Sequence, residues 1–400
     1  MSQPSQEVFR SHNFGPGPSA LPLKMLQEVQ QEFLNFQGSG MSILEITNLD
    51  KDLGKHPKEA KNPAQTVILE TEKMLREILE IPDNYRVLFM YGGGVGQFSA
   101  VPMNLCENQT VKSDYIEMGF WSRRALMEAK KYSDVNVPIV LENEAKKSSE
   151  WNFRKDAKYV HFCLNETIQG LEFHQDPDWD ENNDPYLVCD ATSTILSRPI
   201  DIKKYGIIYA SGGKNIPHGV SVVIIKESIL KNEKANKFCP QILDYRMSGG
   251  GIVNGSCIFE SRPNTPPIFP VYLLGKMLKY LKNQYSNLKA IQSAMHKRAD
   301  KLYEIIDNSN GFYNCKIAKG SRSVMNAVFY IKKKELEEKF YQEAEEKNML
   351  FLFSMDYVDP ENKTGGLQVS GIRATMYIGV ADESVDALCK FMQEFQKKYE

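Results

Sequence analysis

Two charged side chains end two neighbouring apolar runs. The first run is Tyr186-Leu187-Val188-Cys189-Asp190. The second is Gly206-Ile207-Ile208-Tyr209-Ala210, followed by Ser211-Gly212-Gly213-Lys214-Asn215. Each run reads as a buried strand that delivers a charge at its carboxyl end. An amine and a carboxylate at adjacent strand ends suit one chemistry well. The amine can form a Schiff base with an aldehyde, and the carboxylate can pair with a protonated ring nitrogen, the two demands of pyridoxal phosphate.

Three further segments point to the same edge. Gly92-Gly93-Gly94-Val95-Gly96-Gln97 links an apolar run at 87–91 to a helix expected to open near Gln97. Glycines let backbone N–H groups approach an anion, and a helix amino terminus favours negative charge. Trp121, two residues after Gly119, offers a flat face for stacking on a ring. Asn165-Glu166-Thr167 supplies a hydroxyl after the run 158–163. Taken singly, each also fits an ordinary role as a tight turn, a core aromatic or a turn cap.

The elements that must position these groups follow from periodicity. Helical spacing appears at Leu23, Met25, Leu26, Val29 and Phe33, and again over 64–80. Strands are then expected at 87–90, 114–118, 158–163, 186–190, 206–210 and 220–226, with a helix over 121–132. This alternation predicts an α/β fold with a mainly parallel sheet, whose active residues gather at the carboxyl ends of the strands. Near 265 the pattern changes. Helices are expected over 269–282, 286–307, 333–347 and 382–398, with strands over 326–331 and 372–378. The expected division is a large domain over 16–268 and a smaller α+β domain formed by 1–15 and 269–400.

Composition narrows the class. The chain has 400 residues, 42% hydrophobic and 25% charged, with a net charge of −2. That balance offers no basic excess for a nucleic acid backbone. The run Lys332-Lys333-Lys334 is followed by Glu335, Glu337 and Glu338, the mixed charge of a solvated helix face. Seven scattered cysteines without a C-x-x-C pair argue against a metal site or a disulfide framework. No apolar stretch approaches the roughly 18 residues of a membrane span. The polar start Met1-Ser2-Gln3-Pro4 lacks an apolar leader, so a cytoplasmic setting is expected.

Longer segments carry a resemblance. They are GPGPSALP (15–22), GMSILEIT (40–47), PDNYRVLFMYGGGVGQFSAVPMNL (82–105), NETIQG (165–170), CDATSTILSRPIDIKKYGIIYASGGKN (189–215), NTPPIF (264–269), DNSNGFY (307–313) and GIRATMY (371–377). In this order the chain resembles the phosphoserine aminotransferase family, class V enzymes of the fold-type I pyridoxal phosphate group. The resemblance implies a serine-biosynthetic transaminase that pairs phosphoserine with 2-oxoglutarate. It implies that Lys214 carries the cofactor and moves protons, and that Asp190 pairs with the ring nitrogen. Trp121 would stack on the ring, Thr167 would contact its phenolic oxygen, and Gly94 and Val95 would bind its phosphate. Asn264 and Thr265 would reach the phosphate of a neighbouring subunit, which implies a homodimer with shared sites. Arg373 would grip the substrate carboxylate with a two-pronged guanidinium.

The chain departs from the family pattern at two substrate-phosphate positions and in the lysine loop. Asn48 and Leu49 stand where the family has a His-Arg pair for the substrate phosphate, and Gly366 and Leu367 stand where it has a second. Gly213 replaces a glutamine before the lysine, and His218 lies in an altered loop. Arg246 and Arg262 are nearby cations with ordinary surface roles as their alternative. The departures leave two further readings: a related aminotransferase with a non-phosphorylated substrate, or a non-catalytic dimeric homologue.

Overall fold

The computed structural model describes residues 8–47, 62–253, 256–258, 261, 264–358 and 366–400. Its centre is a seven-stranded sheet. From one edge the strands run Tyr85–Met90, Ser221–Lys226, Ile207–Ser211, Tyr186–Asp190, Tyr159–Cys163, Lys112–Tyr115 and Asp134–Asn136. Only Ser221–Lys226 runs against the rest, pairing antiparallel with both of its neighbours. The other pairings are parallel. The mainly parallel sheet read from the sequence is therefore present.

Both faces of this sheet are covered, which is why its strands read as continuous apolar runs. Phe162, Leu187, Cys189, Ile208 and Val222 point into one buried cluster. Tyr159, Val188, Ile207, Tyr209 and Val223 point into another on the opposite face. Ile208 is almost wholly buried, and burial of such a side chain contributes about 1.5–3 kcal/mol. Lost to the core, these alternating side chains fix the register and so the positions of the strand ends.

The helices begin where the chain supplies caps. Asn62 accepts the Ala64 N–H at 2.8 Å ahead of helix Pro63–Leu79, and Asn287 caps helix Leu288–Asp307. Helix Pro63–Leu79 packs along helix Ile268–Gln284. A second, antiparallel sheet has the order Tyr313–Asn314, Asn326–Ile331, Gly366–Thr375, Phe353–Val358. Its strand Gly366–Thr375 starts six residues before the expected 372, across a short alternation, Leu367-Gln368-Val369-Ser370, set between two glycines.

The amino-terminal arm returns to the carboxyl-terminal part. His12 and Asn13 pair in parallel with Met349 and Leu350. Thr375 donates its hydroxyl to Phe14 O at 2.9 Å and Gly15 O at 2.8 Å.

Candidate active site

Every charged or polar group singled out at a strand end lies at the carboxyl edge of the central sheet. The segments after Met90, Tyr115, Cys163, Asp190 and Ser211 meet there. They line a cavity of about 490 Å³, closed from other sides by Pro16 to Pro18 of the arm and by Phe353, Met355 and Arg373.

Asp190 is 7% exposed at the end of its strand. Its carboxylate accepts the Thr192 N–H at 2.9 Å. Burial raises its pKa, while the Thr192 hydrogen bonds and the Lys214 charge oppose that shift. On the same sheet face lies a buried polar pair, His161 Nε2 and the Tyr209 hydroxyl, 2.8 Å apart. Burial lowers the His161 pKa to about 3, so the ring is neutral at physiological pH.

Lys214 sits on a turn tied to the arm. Ser19 donates its N–H to Gly213 O and its hydroxyl to Lys214 O, both at 2.9 Å. The Lys214 Nζ lies 2.5 Å from Thr167 Oγ1 and 6.0 Å from the centroid of the Trp121 ring. The two strand-end groups thus share one cavity with a hydroxyl and an aromatic wall.

The Gly-rich turn forms the anion-facing part. Gly92 and Gly93 have φ of 98° and 62°, conformations open to glycine. They start helix Gly93–Leu105 four residues earlier than the expected opening at Gln97. Helix propensity alone disfavours glycines there, and the tertiary position overrides it. As first-turn residues, Gly94 and Val95 have no intrahelical acceptor for their N–H groups. Both line the cavity.

Arg373 comes from the second sheet and is 3% exposed. Its Nη1 reaches Thr167 O at 3.5 Å and its buried Nε has no partner. No carboxylate pairs with it among the described residues, and burial lowers its pKa. A buried cation without a counter-charge is costly. An anion entering the cavity would relieve that cost.

Other expected groups fall elsewhere. Asn264 and Thr265 are exposed and do not line this cavity; Tyr91 donates its hydroxyl to Thr265 O at 3.1 Å. His218 is exposed yet lines the cavity beside Gly213. Arg246 folds back on Asp244 with a 2.7 Å ion pair, an ordinary surface role. Asn48, Leu49 and Arg262 lie outside the described residues.

Sequence reading passed over several lining residues. Thr192 and Ser193 follow one key strand and Ser211 ends the other, and a polar residue at or within three places of a strand end was the available signal. Phe353 and Met355 come from a distant strand and carried none.

The residues present suit pyridoxal phosphate. An amine, a buried acid, an aromatic wall and a helix amino terminus line one cavity, and a guanidinium there has an unpartnered Nε and no acidic partner among the described residues.

Comparison with known proteins agrees. The aminotransferase class-V family model matches residues 11–388. Phosphoserine aminotransferase of Acinetobacter baumannii (strain ACICU) is 40% identical over 396 residues, covering 98% of this chain and 99% of that protein. The enzyme of that name from Hahella chejuensis (strain KCTC 2396) is 39% identical over 391 residues, covering 96% of this chain and 98% of its own. Among solved structures, phosphoserine aminotransferase from Bacillus circulans subsp. alkalophilus superposes with a TM-score of 0.82 at 32% identity, covering 98% of this chain and 99% of that one. The pyridoxal phosphate-bound phosphoserine aminotransferase from Trichomonas vaginalis gives 0.81 at 32% identity, covering 96% and 100%. With its cavity, its strand-end lysine and acid and this likeness over nearly the whole length, the chain belongs to the class-V aminotransferases, enzymes that work with pyridoxal phosphate.

Proposed function

We propose that this protein transfers the amino group of phosphoserine to 2-oxoglutarate, in serine biosynthesis, with pyridoxal phosphate as cofactor. The observation that carries the amino-acid part is Arg373, a buried guanidinium with an unpartnered Nε in the cavity that holds Lys214. The relatives' shared name supports the substrate.

Pyridoxal phosphate, when bound, supplies an aldehyde carbon and a ring that withdraws electrons from the substrate Cα. The chain's own groups do the rest. Asp190 holds positive charge at the ring nitrogen. Trp121 covers one face of the ring. Gly94 and Val95 offer N–H groups to the cofactor phosphate. Lys214 would take the proton from the substrate Cα and deliver it to the carbon that entered as the cofactor's aldehyde, on the other side of the nitrogen. Thr167, 2.5 Å from the Lys214 amine, orients it and would contact the ring's phenolic oxygen. Arg373 grips the α-carboxylate through paired N–H groups.

Asn264 and Thr265 act in a second copy's site in this reading. Their exposure away from the chain's own cavity supports it. A homodimer follows, with a mass by light scattering of twice 45.6 kDa. The division into 16–268 and 1–15 with 269–400 belongs to the same reading, supported by the pairing of His12–Asn13 with Met349–Leu350. So does a cytoplasmic place, supported by six described cysteines that are free thiols. Among the described residues no helix is long and apolar enough to cross a membrane.

A non-phosphorylated substrate is the second reading. Its support is the cavity lining, where Arg373 is the one guanidinium among the described residues. An Arg–phosphate hydrogen bond contributes about 1.5–3 kcal/mol, so missing His-Arg pairs weaken the case for a dianion. The deciding experiment mixes each amino acid, phosphoserine included, with the cofactor-loaded protein and follows the change in cofactor absorbance. Saturation by phosphoserine at micromolar concentration supports the first reading. Response only to an unphosphorylated amino acid supports the second. A colourless protein that takes up no added pyridoxal phosphate would return the chain to a non-catalytic role.

A further inference from the structure

Glu166 is 0% exposed and does not line the cavity. Its neighbours Asn165 and Thr167 do. The side chain turns instead to the amino terminus of helix Phe120–Ala129. There Oε2 accepts the Trp121 N–H at 3.1 Å and Oε1 accepts the Ser122 N–H at 2.7 Å. Gln169, three residues on, accepts the Phe120 N–H at 3.3 Å. One short segment therefore satisfies the first three N–H groups of the helix that begins with the aromatic wall.

The carboxylate suits that place. A helix amino terminus carries partial positive charge and unsatisfied donors. Charge-assisted hydrogen bonds there are roughly twice as strong as neutral ones. The contact is close: a Cβ on Gly119 would lie 2.4 Å from Gln169 Oε1 and 2.9 Å from the Glu166 carboxyl carbon, so these side-chain ends would have to shift. Burial raises the Glu166 pKa, and the Trp121 and Ser122 N–H groups act against that shift.

Through these two bonds two parts of the cavity lining become one unit. Thr167, next to Glu166 in the chain, holds the Lys214 amine. Trp121, hydrogen-bonded to Glu166, stands 6.0 Å from the same amine. We infer that Glu166 is a positioning residue: it fixes the spacing between the Trp121 wall and the Thr167–Lys214 wall, and so the slot into which the cofactor ring fits. This rests on the proposal that pyridoxal phosphate lodges in this cavity.

The substitution Glu166→Gln tests it. Glutamine keeps the shape, but its amide NH2 must face a helix N–H. Apo protein is titrated with pyridoxal phosphate, and the visible circular dichroism band of the bound cofactor is recorded as a measure of ring orientation. The dissociation constant is expected to rise at least about tenfold, with a weakened dichroic band. The same substitution made on Trp121→Ala is expected to add little, since the two act in series. Should Glu166→Gln not fold, Gly119→Ala presses on Gln169 and on the same carboxylate and is read in the same way. A variant that melts earlier yet binds pyridoxal phosphate with unchanged affinity and dichroism overturns the inference and leaves Glu166 a plain helix cap. Full additivity with Trp121→Ala also overturns it. Failure of the unsubstituted protein to bind pyridoxal phosphate would instead defeat the reading of the cavity itself.

Discussion

At the scale of single residues, the site combines one reactive amine with groups that hold it. Lys214 points at Thr167 and shares its cavity with Asp190 and Arg373. Lys214→Ala is expected to lower turnover by roughly ten-thousand-fold. The melting temperature of the cofactor-free protein and its mass in solution should stay as they were. Rates in a coupled assay, together with loss of borohydride-linked cofactor, check this. A second residue reports on the sheet behind the site. His161 is neutral when folded, with its pKa lowered to about 3, while the unfolded value is near 6.5. The unfolded chain thus binds more protons between these values, so stability is full above pH 6.5 and is lost as pH falls. The loss from this one group is about 2 kcal/mol at pH 5, from 1.36 kcal/mol per pH unit. Urea unfolding of His161→Gln across pH 4–7 should give a flatter stability profile than the parent.

At the scale of elements, the turn that carries Lys214 leaves no room for change. A Cβ on Gly212 would lie 2.2 Å from Pro217 O and 2.7 Å from Val220 O, both backbone atoms. The Gly212 N–H also donates to Val220 O at 2.7 Å. Gly212→Ala must therefore shift the turn, at a cost of about 1–3 kcal/mol, and cofactor affinity should fall with it. Gly320→Ala, where nothing lies within 4 Å, should change stability by less than about 0.5 kcal/mol. Chemical denaturation of the two variants compares these outcomes. Element types were readable from the chain because buried strands are continuous apolar runs and amphipathic helices repeat every three or four residues. Boundaries were less readable. Helix Gly93–Leu105 starts inside a glycine run that packs against Ser211 of the lysine strand, where a Cβ on Gly93 would lie 3.4 Å from Ser211 Oγ, a tertiary reason that local propensity cannot express.

At the scale of the whole molecule, the arm joins the parts that form the site. Pro16 to Pro18 line the cavity, Ser19 bonds the lysine turn, and Phe14 and Gly15 accept from Thr375. Gly379 lies so close to the arm that a Cβ there would meet Ala20 O at 2.1 Å. Removal of residues 1–20 is expected to lower the melting temperature and to let pyridoxal phosphate leave during gel filtration. Calorimetry and the absorbance of the eluted protein measure both.

By itself the sequence determined the fold class and the principal chemistry. Asp190, Lys214, Thr167 and Gly94 sit at strand ends, and strand ends are set by local apolar runs whose carboxyl edges a parallel sheet brings together. Arg373 was legible only through the GIRATMY resemblance, because its strand belongs to a different sheet. The tertiary structure alone decided that its guanidinium enters this cavity without an acidic partner among the described residues and that the arm closes one side. It also decided that Glu166 turns away from the cavity to the Trp121 helix. Each of these depends on contacts between residues far apart in the chain or in separate elements, where no periodicity or spacing records which side chains will meet.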